Sequence, residues 1–280
     1  MIFDDRPCAL GEGPLWHPLR DQLYWFDITG KRLLTRTTDG PAEWHFTEMV
    51  SAAGWLSRYE IIIASETALF RFHLETGVQT HIIALESDNP DTRSNDGRAD
   101  LQGGFWIGTM SKTEAVGAGA IYRYYKGDLR RLFPRISIPN AICFTPDGRT
   151  AHFTDTATGL VMQVDLDAEG WPKGEPEIFL DLRAEGLNPD GAVIDATGIM
   201  WLAQWGGARV AAYSPQGQFL RAIAFDAPHT SCPALGGATL YCTTALQGMD
   251  AASRAIHPDA GKTFMAPGVA QGQSEHQVIL

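Results

Sequence analysis

LYWFD at 23–27 returns along the chain with its character kept and its letters changed: IIIAS at 61–65, FWIGT at 105–109, AHFTD at 151–155, MWLAQ at 200–204 and LYCTT at 240–244. Each copy is a short β-branched and aromatic run that follows a turn, the composition of a strand. Start to start, the copies are 38, 44, 46, 49 and 40 residues apart. Repeats of about 40–45 residues built from short strands and Gly/Asp turns are the blades of a β-propeller. Six copies nearly fill the 280 residues, and no linker interrupts them. The predicted fold is therefore all-β, a six-bladed β-propeller, with residues 1–280 forming a single domain.

The rest of each repeat agrees with this. TPDGR at 145–149 has Pro and Asp-Gly in turn order, and HPLRD at 17–21, LQGG at 101–104 and DATG at 195–198 hold the same place in their repeats. A further strand follows in KRLLTRT, ALFRFHL, GAIYRYY, GLVMQVDL and ARVAAYS. Each unit thus reads as an inner strand, a turn, a second strand, a link and a third strand. No apolar pattern of period 3.6 persists, so long helices are not expected. TFMAP, which begins at Thr263, reads as a closing strand, and the last ten residues read as a polar, mobile tail.

The net charge of −11 disfavours nucleic acid and anionic membrane as partners, because both demand basic patches. It also favours a neutral substrate that becomes an acid only as product. The opening MIFDDRPCAL lacks the basic and apolar regions of a signal peptide, and no apolar stretch is long enough to span a membrane. Cys8, Cys143, Cys232 and Cys242 show neither C-x-x-C nor zinc spacing. Reduced, buried thiols in a cytoplasmic protein are expected, with a monomer as the default.

About ten residues before each strand phrase, where a blade's inner strand begins, the chain reads Glu12, Ala53, Asn95, Asn140, Asp190 and Ser231. Blade starts converge on one end of the central channel. Four of these six are carboxylates or amides, the hard oxygen donors that bind divalent cations. Asp and Asn also populate turns entering strands, but their recurrence at one repeat position points to a metal or polar site in the channel.

These same segments carry a family resemblance. LGEGPLW at 10–16, RSNDGRAD at 93–100, GTM at 108–110, IPNAICFTPDGRT at 138–150, NPDGAVIDATGIMWLAQWGGARV at 188–210 and TSCPALGG at 230–237 resemble the SMP-30/gluconolactonase/LRE family, which includes regucalcin and bacterial sugar lactonases. The match runs end to end and in order. It implies a six-bladed propeller with one divalent cation in the channel, hydrolysing lactones of aldonic acids. By the resemblance, Glu12, Asn140 and Asp190 are the metal ligands, and Arg93 and Asn95 contact the substrate's hydroxyls and carbonyl. Asp190 doubles as the proton-transfer carboxylate, and Glu114 corresponds to a further substrate-contacting residue.

The chemistry suits those residue types. Opening a lactone requires an electrophilic carbonyl, a poised water and stabilisation of the oxyanion. A divalent cation held by oxygen ligands answers the first two needs. Calcium is the first choice on softness grounds, with magnesium, manganese, zinc and iron(II) also able to bind such sites. An Asp beside the ion can shuttle the water's proton to the leaving ring oxygen. Arg93 offers planar, multi-donor contacts to polyol oxygens.

Trp16, Trp106 and Trp201 read as inter-blade core, and Trp205 as a candidate for stacking a sugar face near the channel mouth. His17, His45, His73, His81, His152, His229, His257 and His276 form no ligand pair; they read as surface or strand residues, with His152 a satisfied core histidine. There is no G-x-S-x-G elbow and no dinucleotide glycine motif in a strand-to-helix context. The competing readings are a calcium-binding or regulatory propeller without turnover, and an enzyme with esterase or phosphotriesterase side activity.

Overall fold

The computed structural model describes residues 1–280. It contains six four-stranded antiparallel sheets. Their inner strands are Gly11–His17, Val50–Trp55, Thr92–Ala99, Pro139–Phe144, Asn188–Ile194 and Thr230–Gly236. Each packs against its counterparts in neighbouring blades, and together they ring a central channel. The strand phrases of the repeat form the second strand of every blade, as in Gln22–Asp27 and Met200–Trp205. The fold is the six-bladed β-propeller that the repeat predicts.

Every blade also has a fourth, outermost strand that the repeat reading did not contain. Gly40–His45 and Phe219–Ala224 are examples. These edge strands are half exposed, so they lack the buried run that marks the strands inside them. In the last blade, Thr263–Ala266 is the closing strand expected from TFMAP, but it is not outermost. Ile2–Asp4 from the N-terminus pairs with its outer edge, so both ends of the chain build one sheet and close the ring.

The core lies between blades. Phe26 and Leu33 of the first blade pack with Ile61, Ile63 and Phe72 of the second. Trp106 and Ile121 of the third meet Phe144 and Phe153 of the fourth. Trp106 and Trp201 are buried, as expected. Each indole donates to the Asp of its own inner turn, Trp106 Nε1 to Asp100 at 3.0 Å and Trp201 Nε1 to Asp195 at 2.9 Å. The same two carboxylates accept the backbone N–H groups of Gly104 and Ile199, so one side chain fixes both the turn and the indole. All four cysteines are free and buried. The single α-helix is Ala251–Ile256, and no helix is long and apolar enough to cross a membrane.

The tail corrects an expectation. Residues 271–280 are a strap across the end of the channel where the inner strands finish. Gly272 N donates to Gly237 O, Gln273 Nε2 to Ile194 O and Ile279 N to Gly103 O. Trp55 Nε1 donates to Glu275 O at 2.8 Å, and Val278 is buried in the apolar cluster between the second and third blades. These contacts tie the polar segment to the ends of the inner strands.

Candidate active site

The site lies at the opposite end of the channel, where the inner strands begin. Each inner strand carries a β-bulge near its start. A bulge leaves residues unpaired, bends the strand and re-aims its side chains. Glu12 and Asn140 are the last paired residues before their bulges. The residues after them, Gly13 (φ 52°) and Ala141 (φ 54°), adopt the left-handed conformation. Asn95 and Asp190 are instead the first residues inside theirs. The four are therefore not strictly equivalent; they occupy two adjacent bulge positions that both deliver a side chain to the channel. In the second blade Ser51 holds the bulge position rather than Ala53. Ser51 is bonded to Ser94 Oγ at 2.7 Å, and Ser231 donates to Gly11 O at 2.6 Å, so both tie inner strands together.

Glu12, Arg93, Asn95, Asn140 and Asp190 all line one cavity of about 440 Å³. Glu114 lines it too, as do Trp205 and several residues that the sequence reading did not single out, among them Met110, Thr156, Asn188 and Gln247. His229 also lines it, contrary to the surface or strand role expected of it. Its ring stacks on Trp205 with centroids 4.3 Å apart and planes 10° from parallel. No spacing marks these additions, because they come from loops, second-strand ends and, for Asn188, the very start of an inner strand. His152 is a second correction: it is buried, but its Nδ1 has no hydrogen-bond partner.

The site's polar groups are tightly cross-linked. Arg93 Nη1 donates to Ser94 O at 2.8 Å and to Asn95 Oδ1 at 2.7 Å. Asn95 Nδ2 donates to Pro139 O and to Asn140 Oδ1, each at 2.9 Å. Asp96 points away into the wall, where its carboxylate accepts from Gly97 N (2.9 Å) and Ile142 N (2.8 Å) and so pins the bulge that follows Asn140. Below it Arg98 pairs with Glu275 of the strap.

The charges in this wall are strongly desolvated. Burial pushes the Glu12 carboxyl well above the usual range; the Asp96 charge adds to the effect, while Gly13 N–H and Arg93 oppose it. Burial raises Asp190 as well, with Glu12 and Asp96 adding to it. Burial pulls the Arg93 guanidinium down to about 10 against the attraction of Glu12 and Glu114.

This donor set fits a hard divalent cation. Glu12 accepts one hydrogen bond, from Gly13 N at 2.9 Å, and neither Glu12 nor Asp190 is matched by an ion pair of the kind that Arg98 makes with Glu275. A buried carboxylate whose pKa is raised by a neighbouring carboxylate, as that of Asp190 is by Glu12, needs a cation or a proton. Asn140 Oδ1 keeps one lone pair beyond its bond from Asn95. No cluster of three or more His, Cys, Asp or Glu side chains disposed to hold a metal occurs in the molecule. The cavity's candidate ligands are two carboxylates and one amide oxygen.

These features define a six-bladed propeller whose channel, sealed at one end by the strap, opens at the other onto a polar pocket. The profile of the SMP-30/Gluconolactonase/LRE-like region matches residues 10–246, and the chain belongs to this family. A Rhizobium meliloti (strain 1021) protein provisionally named a sugar lactone lactonase is 42% identical over 94% of this chain and 91% of its own length. An Azospirillum brasilense L-arabinolactonase is 34% identical, covering 95% of this chain and 90% of its own. The crystal structure of a calcium-binding protein, regucalcin, from Agrobacterium tumefaciens str. C58 superimposes with a TM-score of 0.97 at 37% identity, covering 100% of this chain and 97% of that one.

Proposed function

We propose that the protein is a metal-dependent sugar lactonase that hydrolyses an aldonolactone to the aldonic acid. The observation that carries this reading is the convergence of Glu12, Asn140 and Asp190 with Arg93 and Asn95 on one open cavity. The names of relatives that match over nearly the whole chain support it. Glu12, Asn140 and Asp190 would hold one divalent cation, calcium first among the candidates, with zinc, manganese, magnesium and iron(II) as the others. When bound, the ion supplies Lewis acidity at the lactone carbonyl.

The chain's own groups do the rest. Arg93 and Asn95 orient the substrate's hydroxyls and carbonyl along one wall, and the stacked rings of Trp205 and His229 line the cavity beside the sugar. The Asp190 carboxylate accepts the proton of the attacking water as the water oxygen bonds to the carbonyl carbon. When the ring C–O bond breaks, Asp190 returns that proton to the departing ring oxygen, which leaves as the hydroxyl of the acid. The same reading takes residues 1–280 as one cytoplasmic, monomeric domain acting on a small neutral lactone.

A regulatory calcium-binding propeller is the second reading, favoured by the likeness to the regucalcin structure. Acid release from a panel of five- and six-carbon aldonolactones separates the two. The assay uses metal-stripped protein, then Ca, Mg, Mn, Zn or Fe(II) added back, with spontaneous hydrolysis subtracted. Metal-dependent turnover of one or two lactones is expected. Tight binding of an ion with no turnover of any lactone would transfer the assignment to the regulatory reading.

A further inference from the structure

A run of hydrogen bonds passes round the channel wall from the third blade to the fifth with a single polarity. Arg93 can only donate, so the atom it meets at 2.7 Å is Asn95 Oδ1. The amino group of Asn95 then faces Asn140 and donates to Oδ1 at 2.9 Å. The amino group of Asn140 is turned the other way and donates to Thr156 Oγ1 at 2.9 Å. Thr156 has one proton, which goes to Pro189 O at 2.7 Å, the residue before Asp190. A donor-only guanidinium stands at one end and an acceptor-only carbonyl at the other, so no member can reverse without leaving two donors or two acceptors face to face.

We infer that Thr156 is a positioning residue: its hydroxyl fixes the amide of Asn140 so that the oxygen, and not the NH2 group, is presented to a cation, and it ties Asn140 to the strand that carries Asp190. Thr156 is itself held in place. It opens the 3-10 turn Thr156–Thr158, and its own N–H donates to Ile138 O at 3.0 Å. The inference rests on the metal-dependent reading above. It adds a residue that touches neither reacting atoms nor the ion.

The test is calorimetric titration of metal-stripped protein with Ca²⁺, and in parallel with Mn²⁺ and Zn²⁺. Thr156→Val keeps the shape and removes the acceptor; its affinity for the ion is expected to fall at least about tenfold, the effect usual for a group orienting a metal ligand. Thr156→Ser keeps the hydroxyl and is expected to stay within about threefold of the wild type. In an Asn140→Asp background the ligand has two equivalent oxygens and no orientation to fix, so adding Thr156→Val should change affinity little.

Unchanged affinity in Thr156→Val overturns the inference, and so does an equal loss in the Asn140→Asp background, which would mark a merely structural role. Thermal unfolding of the metal-free variants shows whether each is folded. If Thr156→Val is not, a tenfold loss in folded Thr156→Ser overturns the inference on its own. A wild type that binds none of the three ions would overturn the metal-dependent reading first and this inference with it.

Discussion

Asp190 and Arg93 lie in the same wall, and their replacement should damage turnover in different ways. Asp190→Asn keeps the volume and loses the proton-accepting carboxylate, so kcat should fall by roughly 10²–10⁴-fold with the fold intact. Wild-type rates in that variant would remove Asp190 from proton transfer. Arg93→Ala loses a charge-assisted contact worth about 1.5–3 kcal/mol, so kcat/KM for sugar lactones should drop by about 10–100-fold. Metal content should stay near that of the wild type, because Arg93 makes no hydrogen bond to Glu12, Asn140 or Asp190 and its positive charge does not favour a cation beside Glu12. Loss of the ion would show that Arg93 sits closer to it than this assignment allows.

At the scale of the strand, the bulge turns a repeat into a site. Ala141 carries the local strain: it is buried and has φ 54° between Asn140 and the N–H that Asp96 holds. A β-branched residue there meets both a forbidden backbone region and a filled core. Ala141→Val should therefore lower unfolding free energy by about 2 kcal/mol or more and weaken ion binding together with it. Ala141→Gly should hold ion affinity near wild type. Denaturant unfolding and the same calorimetry check both variants.

The six second strands were legible because they are buried on both faces and so carry short runs rich in apolar, aromatic and β-branched residues. Glu12, Asn95, Asn140 and Asp190 were legible because a period of blades puts chemically similar residues at similar offsets. The one-residue stagger between Glu12 and Asp190 was not, since it depends on where each bulge falls and bulges leave no fixed residue type. Ala53 was misplaced for that reason. The outer strands were missed because an edge strand such as Gly40–His45, exposed at every second residue, reads as loop. His229, Thr156 and Gln247 join the cavity only through tertiary closure.

At the scale of the whole molecule, the ring is closed twice. The N-terminal strand completes the last blade, and the strap ties five of the six blades together across the far mouth of the channel. Arg98 and Glu275, both nearly buried, make the ionic contact between strap and channel wall. Glu275→Ala should cost about 3–5 kcal/mol, because it leaves the guanidinium of Arg98 buried and uncompensated. Replacing both partners by apolar residues, Arg98→Met with Glu275→Leu, should recover most of that loss. A double variant no more stable than Glu275→Ala would show that an uncompensated Arg98 charge is not the source of the loss.

The buried histidines set how the whole fold responds to acid. Burial holds the His152 imidazole down at about 4, and also lowers His17 and His276. They lie in the fourth blade, the first blade and the strap, so the effect is distributed through the ring. In each case the folded protein prefers the neutral ring, while the unfolded chain takes up a proton near the ordinary value of about 6.5. The unfolded state therefore binds more protons between those values, and stability falls as pH falls through that window. His152 alone accounts for up to about 3 kcal/mol between pH 6.5 and 4. Above about pH 6.5 these groups contribute no pH dependence, because both states are neutral. The histidines' contribution to the denaturant midpoint should thus be flat from neutral to mildly alkaline pH and slope downward below about 6.5, while the raised carboxyls of Glu12 and Asp190, which favour the folded state when protonated, act in the opposite sense. His152→Phe, which keeps an aromatic ring against Phe179, should flatten part of that slope. An unchanged acid limb in the variant would mean that His152 is already charged in the native protein, or that the fold opens locally around it before the rest unfolds.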